Sequence, residues 1–108
     1  MSLYRFKSRE TGDLVMLEPH GKRILEIIGK DPSAAGVILS QQMPAAVQAL
    51  RDAAVLEEAD QKRQREEALA KDDPPPAFDS VGLRLRNTPF IEMLQRCEKA
   101  GVGVVWGV

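Results

Sequence analysis

His20 is the only histidine in the chain and Cys97 the only cysteine, so metal or nucleophilic chemistry would have to be assembled around one of them. A zinc site takes three or four ligands of Cys, His or carboxylate type. His20 with Glu18 would supply two from a strand end, and Cys97 stands alone. A catalytic histidine needs a convergent nucleophile or acid, and no Ser/His/Asp or Cys/His set is recognisable. The plain reading of His20 is a surface turn residue between Pro19 and Gly21. Cys97 falls on the inner stripe of a helix, where cysteine behaves as a small hydrophobe. Lys99 does not share that face and gives no cause for an activated thiol.

Gly101, Gly103 and Gly107 are spaced through a strand. A phosphate loop instead needs glycine N–H groups ahead of a helix N-terminus, so these glycines are expected to permit close packing. No cofactor is expected. Arg84 and Arg86 would form a basic patch with Arg5, Lys7 and Arg9 if the fold brought them together; otherwise they are an ordinary solvated face. Base-stacking aromatics are not interleaved with these arginines, so nucleic acid is not an expected partner. Pro74-Pro75-Pro76 favours an extended spacer and lacks a P-x-x-P repeat. Trp106 is either core packing or a subunit contact along an edge of the terminal strand. The candidate interaction residues are therefore Trp106, Arg84, Arg86 and His20.

These side chains must be positioned by 108 residues, enough for one core and not for two. Aromatic residues are 5% of the chain, so the core must be mainly aliphatic. A net charge of −1 offers no strongly basic field to steer the chain to nucleic acid or to an anionic membrane. No stretch approaches the roughly 20 apolar residues of a transmembrane helix, and the opening Met1 to Lys7 lacks the apolar region of a signal peptide. The lone cysteine excludes an internal disulfide. A cytoplasmic protein without a membrane partner is the expectation.

Leu3–Lys7 and Leu14–Leu17 read as strands of a hairpin joined by Glu10-Thr11-Gly12-Asp13, with Gly12 supplying a positive φ. The second strand is apolar on both faces and should be covered on each. Glu18 to Gly21 reads as a stop-and-turn before a helix over 22–28, ended by Gly29. Residues 33–39 form a connection with a short extended piece at Val37-Ile38-Leu39. Ser40 can cap the next helix, with Pro44 in its first turn and Met43, Val47, Leu50 and Ala54 as its buried stripe.

Near residue 57 the chain changes character. Residues 57–73 are almost entirely charge and alanine. Pairs at i,i+4 (Glu58 to Lys62, Lys62 to Glu66, Arg63 to Glu67, Glu67 to Lys71) support a helical arm with no core to hold it, ended at Asp73-Pro74. Residues 57–79 are thus a charged arm and Pro-rich hinge inside a single domain, 1–108. Residues 81–86 alternate like a strand, but one helix capped by Asp79 or Ser80 and kinked at Pro89, with Leu83, Phe90, Leu94 and Cys97 inward, is preferred: a strand would have to become a helix within Asn87 alone. Gly101 ends that helix, and Val102–Val108, apolar on both faces, reads as a strand inside the sheet.

Tyr4-Arg5-Phe6-Lys7, Leu25-Glu26-Ile27-Ile28-Gly29-Lys30 and Met43-Pro44-Ala45-Ala46 resemble a family of short bacterial proteins grouped as a domain of unknown function. Leu85-Arg86, Pro89-Phe90-Ile91-Glu92-Met93-Leu94 and the closing Val105-Trp106-Gly107-Val108 fit it as well. The resemblance spans both ends of the chain and not the charged arm. It implies no activity, cofactor or catalytic residue.

The expected fold is α+β: a small, mostly antiparallel sheet of the N-terminal hairpin and C-terminal strand, packed with about three helices, one long with a charged, exposed end. The function read from this is a non-enzymatic interaction or accessory protein, binding a protein partner or itself as a homodimer. A small-ligand or regulatory module with its ligand between helix and sheet is the alternative. An enzyme with a site assembled at a subunit interface around His20 comes third.

Overall fold

The computed structural model describes residues 2–79 and 81–107. Four strands form one antiparallel sheet in the order β2-β1-β4-β3: β1 is Leu3–Lys7, β2 Leu14–Leu17, β3 Gly36–Ile38 and β4 Val104–Trp106. Helices α1 (Glu18–Ile27), α2 (Met43–Ala70) and α3 (Leu83–Ala100) pack on one side of it. The fold is α+β, as expected, with Gly36–Ile38 added as an edge strand. The register pairs Leu3 with Leu17, Phe6 with Leu14 and Trp106, and Val105 with both Lys7 and Val37.

The hairpin forms, but Gly12 is not among the residues of positive φ. Residues 8–13 make a connection wide enough to avoid the tight primed turn that would demand one, and the Ser8 hydroxyl accepts the Glu10 N–H at 3.2 Å. The segment from Glu18 to Gly21 is not a stop-and-turn: it is the first turn of α1, entered directly from Leu17 with Pro19 at its start. Proline fits there because its missing N–H would be unpaired in any case. At its other end α1 closes on Gly29, whose φ is 81°, with Lys30 N–H to Leu25 O and Gly29 N–H to Glu26 O.

Ser40 begins a short 3₁₀ turn, Ser40–Gln42, and does not cap α2. Gln42 reaches back instead, its Oε1 accepting the Leu39 N–H at 3.0 Å. The expected stripe of α2 is buried as Met43, Val47, Leu50 and Ala54. The helix runs on to Ala70 and stops before the prolines, because Asp72 adopts a left-handed φ of 56° and Asp73 N–H closes on Ala68 O.

Residues 83–100 are one helix with Pro89 inside it and Leu83, Phe90, Leu94 and Cys97 buried. Its N-cap is Gly82, not Asp79, and Ser80 lies outside the described residues, as do Met1 and Val108. Gly101, at φ 71°, ends it. The core joins Phe6 and Phe90 edge to face at 4.8 Å, with Ile24, Leu25, Leu50, Leu94 and Val104 around them.

Candidate functional site

Strand alternation puts Tyr4, Phe6, Val104 and Trp106 toward the helices and Leu3, Arg5, Lys7 and Val105 the other way. Their partners in register carry Val15 and Leu17 on β2 and Val37 on β3 to that same outer side. Among the described residues no element covers it. Val15 and Leu17 are each 41% exposed, Val37 40%, Leu39 42% and Leu3 55%. The expectation that Leu14–Leu17 is covered on both faces therefore fails within the chain: β2 is an edge strand, and only Leu14 and Met16 reach the core.

The outer face is also cationic. Arg5 meets Asp13 at 3.4 Å, while Lys7 and Arg9 have no ion pair among the described residues. Lys7, Ser8 and Arg9 border a shallow depression of about 530 Å³ floored by Val37, Leu39, Gly103 and Val105. Gly103 keeps that floor low: a Cβ there would lie 3.1 Å from Ile38 O and 3.3 Å from Val37 Cγ2.

The residues singled out from the sequence lie elsewhere. Trp106 is 4% exposed, its Nε1–H donating to Ala34 O at 2.9 Å and its ring against Gly36, so it is core packing. Arg84 forms a two-pronged pair with Glu58, both bonds 2.8 Å. That bond holds the Glu58 carboxyl below its ordinary range. Arg86 Nη1 donates to His20 Nε2 at 2.7 Å. Because a guanidinium is always a donor, His20 accepts there and carries its proton on Nδ1. Arg84 and Arg86 thus sit in the helical layer, across the sheet from Arg5 and Lys7, and the basic patch does not assemble.

Glu18 and His20 do not pair either. Now on a helix, two residues apart, they face different ways, and Glu18 bonds Lys22 at 2.7 Å, which lowers its pKa. Among the described residues no three His, Cys, Asp or Glu side chains gather to hold a metal. Cys97 is buried, its Sγ–H donating to Ser8 Oγ at 3.0 Å.

The sequence profile of a family described as Domain of unknown function (DUF1840) matches residues 2–106 of the chain. The chain belongs to the DUF1840 family. The match runs through residues 57–79 as well, which the motif resemblance had left out. No curated protein and no solved structure matches the chain.

Two features of this DUF1840 chain were missed in the sequence. Asn87 is 1% exposed and ties α3 to α2, its Nδ2–H donating to Leu50 O at 2.9 Å, while its buried Oδ1 meets no donor among the described residues. It lines a groove of about 400 Å³ between α2 and α3, with Leu50, Ala54 and Ile91. The place expected for a ligand was between helix and sheet. The other feature is Glu57, counted as arm, whose Oε2 accepts the Leu83 N–H at 2.7 Å while Oε1 faces Arg23 at 3.6 Å. No local pattern marks either residue, since their partners are 37 and 26 positions away.

Proposed function

We propose that this DUF1840 chain is a cytoplasmic, non-enzymatic interaction protein whose contact surface is the outer face of its sheet. The observation that carries it is a sheet with helices on one side only. On the other side Leu3 of β1, Val15 and Leu17 of β2, and Val37 of β3 with Leu39 just beyond it stand 40–55% exposed. Scattered surface hydrophobes are ordinary, but here apolar groups flank Arg5 and Lys7 on one uncovered face, Val15 and Leu17 on β2 and Val37 on β3. Exposed apolar surface gathered in this way marks a binding surface. These side chains also contribute little to the fold of the lone chain, since their burial is incomplete, so their role is assigned to what lies against them. No helix is long and apolar enough to cross a membrane.

The test is a triple substitution, Val15→Thr, Leu17→Thr and Val37→Thr, which leaves a β-branched residue at each position and removes the apolar face. Surface changes of this kind each shift stability by within about 0.5 kcal/mol. The wild-type chain is expected to recover a stoichiometric partner, or a second copy of itself, from its native lysate, and the variant to lose it while still folded, as a retained cooperative melt would show. Equal recovery by both would end this reading.

A further inference from the structure

We infer that the occupant of the outer face is an amphipathic helix with an acidic flank. This rests on the interaction reading above and narrows it to one partner chemistry. β1 is an interior strand, so its outward Arg5 and Lys7 form a cationic ridge within the face. Apolar side chains stand on both sides of that ridge: Leu17 and Val15 on β2, Val105 and Val37 on β4 and β3. Among the described residues only Arg5 of these cations is answered, by Asp13 at 3.4 Å, longer than a strong charge-assisted bond.

The depression beside Lys7 and Arg9 is lined by those two cations, by Ser8 and by apolar residues, with no carboxylate among its described lining. A partner that fills it must bring apolar side chains for Val37, Leu39 and Val105 and anionic groups for the rim. Four strands at about 4.8 Å spacing make a face about 14 Å between its outer strands, which takes one helix of about 10–12 Å diameter lying across it. A second copy of this chain, docked face to face, would set the same cations against each other, with Asp13 already paired to Arg5. Nucleic acid would supply the charge, but the face offers no aromatic platform, because Tyr4, Phe6 and Trp106 all project inward.

The experiment uses three synthetic helical peptides that share one Leu/Val stripe and carry Glu, Lys or Gln on the flanks. Binding to the full chain is read by fluorescence anisotropy and by amide chemical shifts. The Glu peptide is expected to bind about tenfold tighter than the Lys peptide, with the advantage shrinking between about 50 and 300 mM salt. Shifts are expected at Lys7, Val37, Leu39 and Val105. The Lys7→Glu/Arg9→Glu double variant should reverse the preference, and Lys7→Gln/Arg9→Gln, the milder change, should abolish it. If all three peptides bind the face alike, the charge assignment is wrong and the interaction reading stands. If none perturbs the face, the helical occupant is wrong, and the interaction reading is decided by the capture experiment above. Tighter binding of anionic vesicles or of single-stranded RNA than of the Glu peptide overturns the assignment of partner.

Discussion

Gly21 stands in the first half of α1, where alanine would ordinarily stabilise a helix by about 0.5–1 kcal/mol. The Tyr4 side chain lies against it, and a Cβ at this position would collide with Tyr4 Cδ2 and fall 2.6 Å from Tyr4 Cγ and 2.7 Å from Tyr4 Cβ. Tyr4 has little room to give way, since its hydroxyl donates to Pro32 O and its ring meets Phe6 edge-on at 6.4 Å. Gly21→Ala is therefore expected to destabilise the chain, by about 1–3 kcal/mol as overpacked positions do, measured as a fall in the urea midpoint. A gain in stability would show that β1 and α1 are not in this contact. The sequence offered Gly21 only as a turn residue. The Tyr4 ring that excludes a side chain comes from another element, so the reason for the glycine is visible only in the packed structure.

At the scale of elements, α3 starts without a side-chain cap of its own. Glu57 on α2 supplies one across the gap by accepting the Leu83 N–H, and its negative charge sits where the helix dipole favours it. Beside it Glu58 holds Arg84. Glu57→Ala is expected to cost about 1 kcal/mol, the usual worth of a cap, with loss of amide protection concentrated at Leu83. An unchanged exchange pattern there would refute the cap. The helical charge pattern of residues 57–73 was legible, and so was the single helix over 83–100, because Leu83, Phe90, Leu94 and Cys97 keep one face through Pro89. The individual ion pairs were less so. Of the i,i+4 pairs expected, Arg63–Glu67 forms at 2.8 Å, but Glu58 turns to Arg84 instead. A neighbouring helix offers Glu58 a bidentate arginine, a better partner than a lysine one turn along. The objection raised against a strand passing straight into a helix does not hold for this chain, since β2 becomes α1 between Leu17 and Glu18.

For the whole molecule, the far half of α2 sets the shape. The radius of gyration is 16.0 Å and the extents 53 × 30 × 21 Å, whereas a compact chain of this length would have a radius near 13 Å. The chain travels outward to Ala70 and returns through Pro74–Pro76, where Phe78 lies under Arg65, 5.7 Å from ring centre to guanidinium carbon. Glu57 and Glu58 touch Leu83 and Arg84, so the two ends of this excursion are adjacent and a short flexible linker can join them. Replacing residues 61–79 by such a linker is expected to leave the fold intact at a cost of about 1 kcal/mol, for the half-buried Phe78. Scattering should then show the radius falling toward about 12–13 Å. Unfolding of the shortened chain would mean that the arm belongs to the core.

The sequence by itself determined many of the local choices: the hairpin strands, the helical runs of α2 and α3, the glycine stops at Gly29 and Gly101, and the inward stripes of α2 and α3. Each of these follows from period, propensity or backbone freedom within a few residues. It also set the split in character at residue 57. What only the tertiary structure decided is which apolar faces meet. Val104–Trp106 and Leu14–Leu17 look alike as runs of apolar residues, yet one is an interior strand closing the core and the other an edge strand with Val15 and Leu17 in solvent. Strand order and the single-sided placement of the helices arise from contacts distant in sequence, and hydrophobic burial is non-directional. A run of apolar side chains therefore specifies that it should be covered without specifying by what.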